Sequence, residues 1–117
     1  LYYDGWIDFT DHSLKWNNLK ERDNNAQKCI HRVGKYFVID NGELHCCSRS
    51  FWRMKQGIIP KRIGEYVPLM DATLSIEEKR KILMEMYEQK SSTSCAYCVG
   101  LCNDVERVAP AQQLESR

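Results

Sequence analysis

The clearest alternation of apolar and polar positions in this chain runs through "GKYFVIDNGELHCC", residues 34–47, where two β-rich stretches meet at Asn41-Gly42. An Asn-Gly pair supplies the positive φ angles that a two-residue type I′ turn needs, so the pattern predicts a β-hairpin. The turn sets the register. Asp40 faces Glu43, Ile39 faces Leu44, Val38 faces His45, Phe37 faces Cys46 and Tyr36 faces Cys47. Because side chains alternate along a strand, Cys46 is expected on one face with Phe37, Ile39 and Leu44, and Cys47 on the other with Tyr36, Val38 and His45.

A second periodic stretch, "SIEEKRKILMEMYEQK", reads as a helix. Ser75 stands at its N-cap with Glu78 three residues later, the capping-box spacing. Glu77 and Glu78 complement the dipole of the first turn, and Ile82, Leu83, Met86 and Tyr87 form an apolar stripe. Between hairpin and helix, "SRSFWRMKQGIIPKRIGEYVPLMDATL" holds two prolines and two glycines in 27 residues. That composition predicts a long connection with short turns. Residues 1–28 start aromatic and turn polar, which predicts an irregular opening segment with a short strand at Gly5–Phe9. After the helix, "SSTS" ends the periodic pattern, and "NDVERVAPAQQLESR" trails off with weak helical character up to Pro110. The expected fold class is α+β: a small domain with a β-hairpin, a long loop and a capped helix. Its expected organisation is an opening segment over 1–28, the domain proper over 29–110 and a tail over 111–117.

Length and composition narrow the functions open to such a chain. With 117 residues, 43% hydrophobic and 28% charged, it is sized for one modest core. A formal net charge of +1 offers no general attraction to nucleic acid or to an anionic membrane, and the basic run Lys79-Arg80-Lys81 is interleaved with glutamates. No apolar stretch is long enough for a membrane span, and no leader pattern marks secretion, so a cytoplasmic location is expected. The chain starts on Leu1 rather than Met, which suggests a fragment cut from a longer polypeptide.

The cysteines change the picture. There are six: Cys29 alone, Cys46 and Cys47 adjacent, and Cys95, Cys98 and Cys102 in a CxxCxxxC run. Six thiols allow 15 disulfide pairings, among which sequence cannot choose. Their clustering says more. Cys29 and Cys47 bracket the hairpin and can converge at the base of its arms, while Cys95 and Cys98 form the usual two-ligand clip of a tight turn. Together they make a four-thiolate set suited to tetrahedral zinc or to an iron–sulfur cluster.

The pattern Cys29-x12-Gly42-x4-Cys47, then a capped helix, then Cys95-x2-Cys98, resembles the C-terminal auxiliary-cluster region of radical S-adenosylmethionine enzymes, SPASM in its long form and twitch in its short form. The resemblance covers residues 29–102. It implies a half-barrel extension, a hairpin followed by a helix, that binds one [4Fe–4S] cluster beside the active site of a partial TIM barrel. In the short form the ligands fall on Cys29, Cys47, Cys95 and Cys98. The implied function is electron transfer or substrate positioning for a catalytic barrel upstream in the same polypeptide. That barrel is the implied partner, and a peptide or small molecule the implied substrate class.

Two departures limit the resemblance. The long form needs further cysteines beyond Cys102, so one cluster is the ceiling. The CxxxCxxC motif that holds the S-adenosylmethionine cluster is also missing, so S-adenosylmethionine would bind only upstream and this chain should not be catalytic by itself. The alternative is a structural zinc or protein-interaction module with the same four cysteines, and an aerobic preparation could carry zinc or empty thiols. Cys46 reads as core filler, Cys102 equally as spare thiol or ligand. His31 and His45 read as surface or supporting groups, and Phe51, Trp52 and Met54 as packing.

Overall fold

The structure, a computed structural model, describes residues 5–110. It is a small α+β fold with two small antiparallel sheets and several helices. The hairpin comprises β2 (Val38–Asp40) and β3 (Glu43–His45), paired as Val38–His45, Ile39–Leu44 and Asp40–Glu43. Asn41 and Gly42 both have positive φ, 52° and 74°, as a type I′ turn requires. A third strand, β4 (Tyr66–Pro68), pairs antiparallel with β3 and sets Val67 beside Leu44. The other sheet joins β1 (Trp6–Ile7) to β5 (Arg107–Val108) near the two ends of the described chain.

The capped helix is α4 (Ile76–Glu88), and Ser75 Oγ accepts the Glu78 N–H at 3.1 Å. Its stripe packs on the three-stranded sheet. Met86 and Val67, each 1% exposed, form the apolar core with Cys46, and Phe37, Leu44, Leu69, Ile82 and Leu83 close around them. Tyr87, expected in the stripe, lies largely exposed.

Several expectations are corrected. The connection over 48–74 contains a regular helix, α3 (Ser48–Lys55), as well as β4. Its N-cap is Cys47, a residue outside the usual capping set. The buried face of α3 carries Ser50, Arg53 and Met54, so the i, i+3, i+4 spacing is present but mostly polar. Gly57, at φ 75°, marks the end of this helix in the left-handed conformation rather than belonging to an irregular loop. In the opening segment, α1 (Leu19–Ala26) forms where irregular chain was expected; Asn18 Oδ1 caps it by accepting the Glu21 N–H at 2.9 Å. The strand expected at Gly5–Phe9 narrows to β1.

At the other end, the stretch read as weakly helical before Pro110 contains β5, because pairing with β1 satisfies its backbone. The serines after α4 lead into a 3₁₀ turn, Thr93–Tyr97. Ile39, placed with Cys46 on an inner face, is 69% exposed, since β2 is an edge strand whose outer end meets water. The ladder also stops at His45, so Phe37–Cys46 and Tyr36–Cys47 are not paired rungs. His45, read as a surface or supporting group, is fully buried: its ring lies against Tyr66 and Phe51 and its Nε2 is 3.0 Å from Glu43.

The opening segment is bound into the same body. Lys15 and Trp16 both donate backbone N–H to Ala96 O, Trp16 Nε1 donates to Cys98 O, and Gln27 Nε2 donates to Lys90 O. These bonds cross the boundary expected at residue 28. The tail over 111–117 lies outside the described residues. No described helix is long and apolar enough to cross a membrane.

Candidate metal centre

Three local structures bring the cysteines together. Cys29 stands at the N-terminus of α2 (Ile30–Val33), Cys47 at the N-terminus of α3, and Cys95 and Cys98 on the 3₁₀ turn and its exit. All four line one small cavity of about 30 Å³, and Cys46 contributes a fifth thiol. All six cysteines are free.

The hydrogen bonds sort these six thiols into two groups. Cys29 Sγ accepts the N–H of Leu101 at 3.4 Å, Cys47 Sγ that of Ser50 at 3.4 Å, Cys95 Sγ that of Ser92 at 3.4 Å and Cys98 Sγ that of Gly100 at 3.3 Å. These are the four cysteines singled out by spacing. The remaining two act as donors: Cys46 to Ser92 Oγ, and Cys102 to the carbonyls of Asn25 and Val99. A sulfur that receives an N–H bond is favoured as thiolate, the form that binds metal, but within the adjacent pair this sorting does not hold, because Cys46 loses its proton before Cys47.

Each acceptor geometry has a local origin. Cys47 takes the role that serine or aspartate usually fills at an N-cap, and its sulfur meets the third residue of α3. Cys29 and Leu101 clamp each other: the Ile30 N–H donates to Leu101 O at 3.0 Å while the Leu101 N–H returns to Cys29 Sγ. The turn after Cys98 needs Gly100, at φ 82°, where a Cβ would come within 2.9 Å of Cys102 Sγ and 3.5 Å of Cys29 Cβ. Asn25 Nδ2 holds the same turn through Val99 O at 3.0 Å.

Arginines complete the wall. Arg32, Arg49 and Arg53 line the cavity, and among the described residues none pairs with a carboxylate. Arg53 is 1% exposed, donating through Nη1 to Ser94 Oγ at 2.8 Å and through Nε to His12 Nδ1 at 3.1 Å. Arg49 Nε, Arg53 Nη2 and His31 Nδ1 are buried without partners. Burial alone would pull the Arg49 guanidinium down, but the sulfurs of Cys47, Cys98 and Cys29 outweigh it and raise its pKa. Arg32 is raised in the same way by Cys46, Cys95 and Cys47. Burial, assisted by Arg49, lowers His31 and keeps its ring neutral at neutral pH.

Cys46 and Cys47 titrate as a pair. The first proton leaves from Cys46, lowered to about 6 because the Cys47 S–H bonds to the charge that remains, and that same bond, with burial, holds the Cys47 proton well above the ordinary thiol range. Cys102 is different: burial, with Cys29 nearby, pushes it up to about 11, so it stays a thiol at neutral pH. It is not among the residues lining the cavity.

The donor set fits an anionic thiolate centre. Four sulfurs pre-oriented by backbone N–H groups, and arginines without carboxylate partners lining the same cavity, are what an uncompensated negative group requires. Among the described residues no three cysteine, histidine or carboxylate groups are gathered closely enough to clasp one metal ion.

The three arginines and Asn25 were not legible as site residues. Arg49 and Arg53 share a face only if 48–55 is helical, and recognising Cys47 as a cap was the signal that would have shown it. No family model, no curated protein and no solved structure matches this chain.

Proposed function

We propose that the chain is an auxiliary cluster-binding domain of the SPASM/twitch kind, holding one [4Fe–4S] cluster on Cys29, Cys47, Cys95 and Cys98. In this reading it serves electron transfer or substrate positioning for a radical S-adenosylmethionine barrel elsewhere in the same polypeptide. One observation carries the proposal: the four cysteines with the family spacing are also the four whose sulfurs accept backbone N–H bonds around one cavity. Hydrogen bonds to cysteine sulfur stabilise the bound thiolate and tune a cluster. When bound, the cluster would supply a one-electron store. The chain's own residues supply the ligands, the N–H groups that orient them and a cationic wall that offsets their charge.

The test is anaerobic reconstitution of the chain with ferrous iron and sulfide, followed by metal and acid-labile sulfide analysis and visible absorption. The expected result is iron and sulfide in equal amounts with a broad charge-transfer band, lost when any one of the four cysteines is changed to serine. Tight retention of zinc with no uptake of iron would favour the structural zinc module instead. Uptake of iron that persists in a Cys47→Ser, Cys95→Ser double variant would overturn the ligand set.

A further inference from the structure

We propose that Arg49, with Arg32 beside it, sets the reduction potential of the four-cysteine centre and makes it a higher-potential acceptor than its thiolates alone would give. The inference rests on the cluster reading above and adds to it the residues that regulate the same site.

Three observations point to Arg49. It stands two residues after Cys47 in the first turn of α3, half-buried, and lines the cavity with one nitrogen unpartnered. It has no carboxylate partner among the described residues, so its charge is not cancelled locally. Its guanidinium also sits over the Phe9 ring, 4.1 Å from the centroid, an aromatic face that holds it without neutralising it. Arg32, which lines the same cavity, makes the same contribution. It is 9% exposed and donates Nη1 to Gln89 O at 3.4 Å.

Elementary electrostatics gives the sign. Reduction adds one electron to the centre and neither forms nor breaks a bond, so the reduced state is more negative by one charge. A fixed positive charge in a poorly solvated wall stabilises that state more than the oxidised one, which raises the potential. Removing the charge must lower it. A cation outside the wall, such as Arg80 on α4, which is paired with Glu77 in solvent, should do almost nothing.

The experiment is a dithionite titration of the reconstituted full chain, followed by electron paramagnetic resonance, on the unaltered protein and on Arg49→Gln, Arg49→Lys, Arg32→Gln and Arg80→Gln. Arg49→Gln should lower the midpoint by at least a tenfold change in the reduction equilibrium, about 59 mV for one electron. Arg32→Gln should shift it in the same direction, Arg49→Lys should restore most of the loss, and Arg80→Gln should leave it unchanged. If Arg49→Gln cannot hold iron, Arg32→Gln against Arg80→Gln carries the same comparison. Unchanged potentials in both wall variants, or an equal fall in Arg80→Gln, would overturn the inference while leaving the cluster reading intact. An unaltered chain that takes up no iron would overturn the cluster reading and this inference with it.

Discussion

Two interiors lie side by side in this small protein, and they are built on opposite principles. Between α4 and the three-stranded sheet, Met86 and Val67 are sealed by Leu44, Leu69, Ile82 and Leu83, and apolar burial holds the parts together. Next to it, sharing Cys46, a cavity is lined by thiols, guanidiniums and an imidazole, some of whose nitrogens have no partner. Buried groups of that kind cost free energy unless something satisfies them. The first interior is complete in itself, and the second leaves Arg49 Nε, Arg53 Nη2 and His31 Nδ1 without partners, which in the proposed reading a bound cluster offsets. Cys46 belongs to both, touching the apolar cluster with one side and the cavity with the other.

The contrast predicts that damage on the two sides will read out differently. The largest effect should come from the cavity side: in anaerobically loaded protein, Cys95→Ser with Cys98→Ser should abolish iron uptake and the cooperative thermal transition, because α1, α2 and the 3₁₀ turn lose their common anchor. Cys47→Ala should lower iron content sharply as well. Retention of the full transition by the double variant, followed by circular dichroism, would mean that the cavity side folds by packing alone.

On the apolar side the loss should be a matter of stability. Met86→Ala should destabilise the protein by about 2–5 kcal/mol in urea titrations, the usual range for a buried methionine, while iron per folded chain stays near normal. A parallel fall in iron stoichiometry would show the two interiors to be one cooperative unit.

Cys46 sharpens the boundary between them. Cys46→Ala should cost on the order of 1 kcal/mol for its small cavity and leave iron content close to that of the unaltered chain. Iron loss equal to that of Cys47→Ala would place Cys46 among the ligands. The smallest effect is expected at Cys102. Its pKa, pushed up to about 11 by burial, keeps the thiolate fraction low until the pH approaches that value. Iodoacetamide should therefore modify Cys102 slowly between neutral pH and mildly alkaline pH, as followed by peptide mass spectrometry, and Cys102→Ala should leave iron content unchanged.

Features written in local sequence were legible from it. Asn41-Gly42 determined the hairpin and its three-rung register, since the pair readily takes the two positive φ angles of a type I′ turn, which joins strands in two residues. Ser75 and the stripe through Ile82, Leu83 and Met86 determined where α4 starts and which face it buries. The cysteine spacing named four of the five thiols that line the cavity and missed Cys46, and Cys29 and Cys47 reach it from the N-termini of α2 and α3 rather than from the base of the hairpin. Tertiary structure alone decided the rest. Whether α3 is a helix depended on Cys47 acting as cap and on a buried face made polar by the cavity it lines, and neither follows from propensity. The clamp between Cys29 and Leu101 joins residues 72 positions apart. The cationic wall exists only once residues of α2 and α3 line the same cavity, and His45 is buried because β4 brings Tyr66 across its ring. Short-range rules are encoded in neighbouring residues. The partners of a buried polar group are chosen by the folded chain.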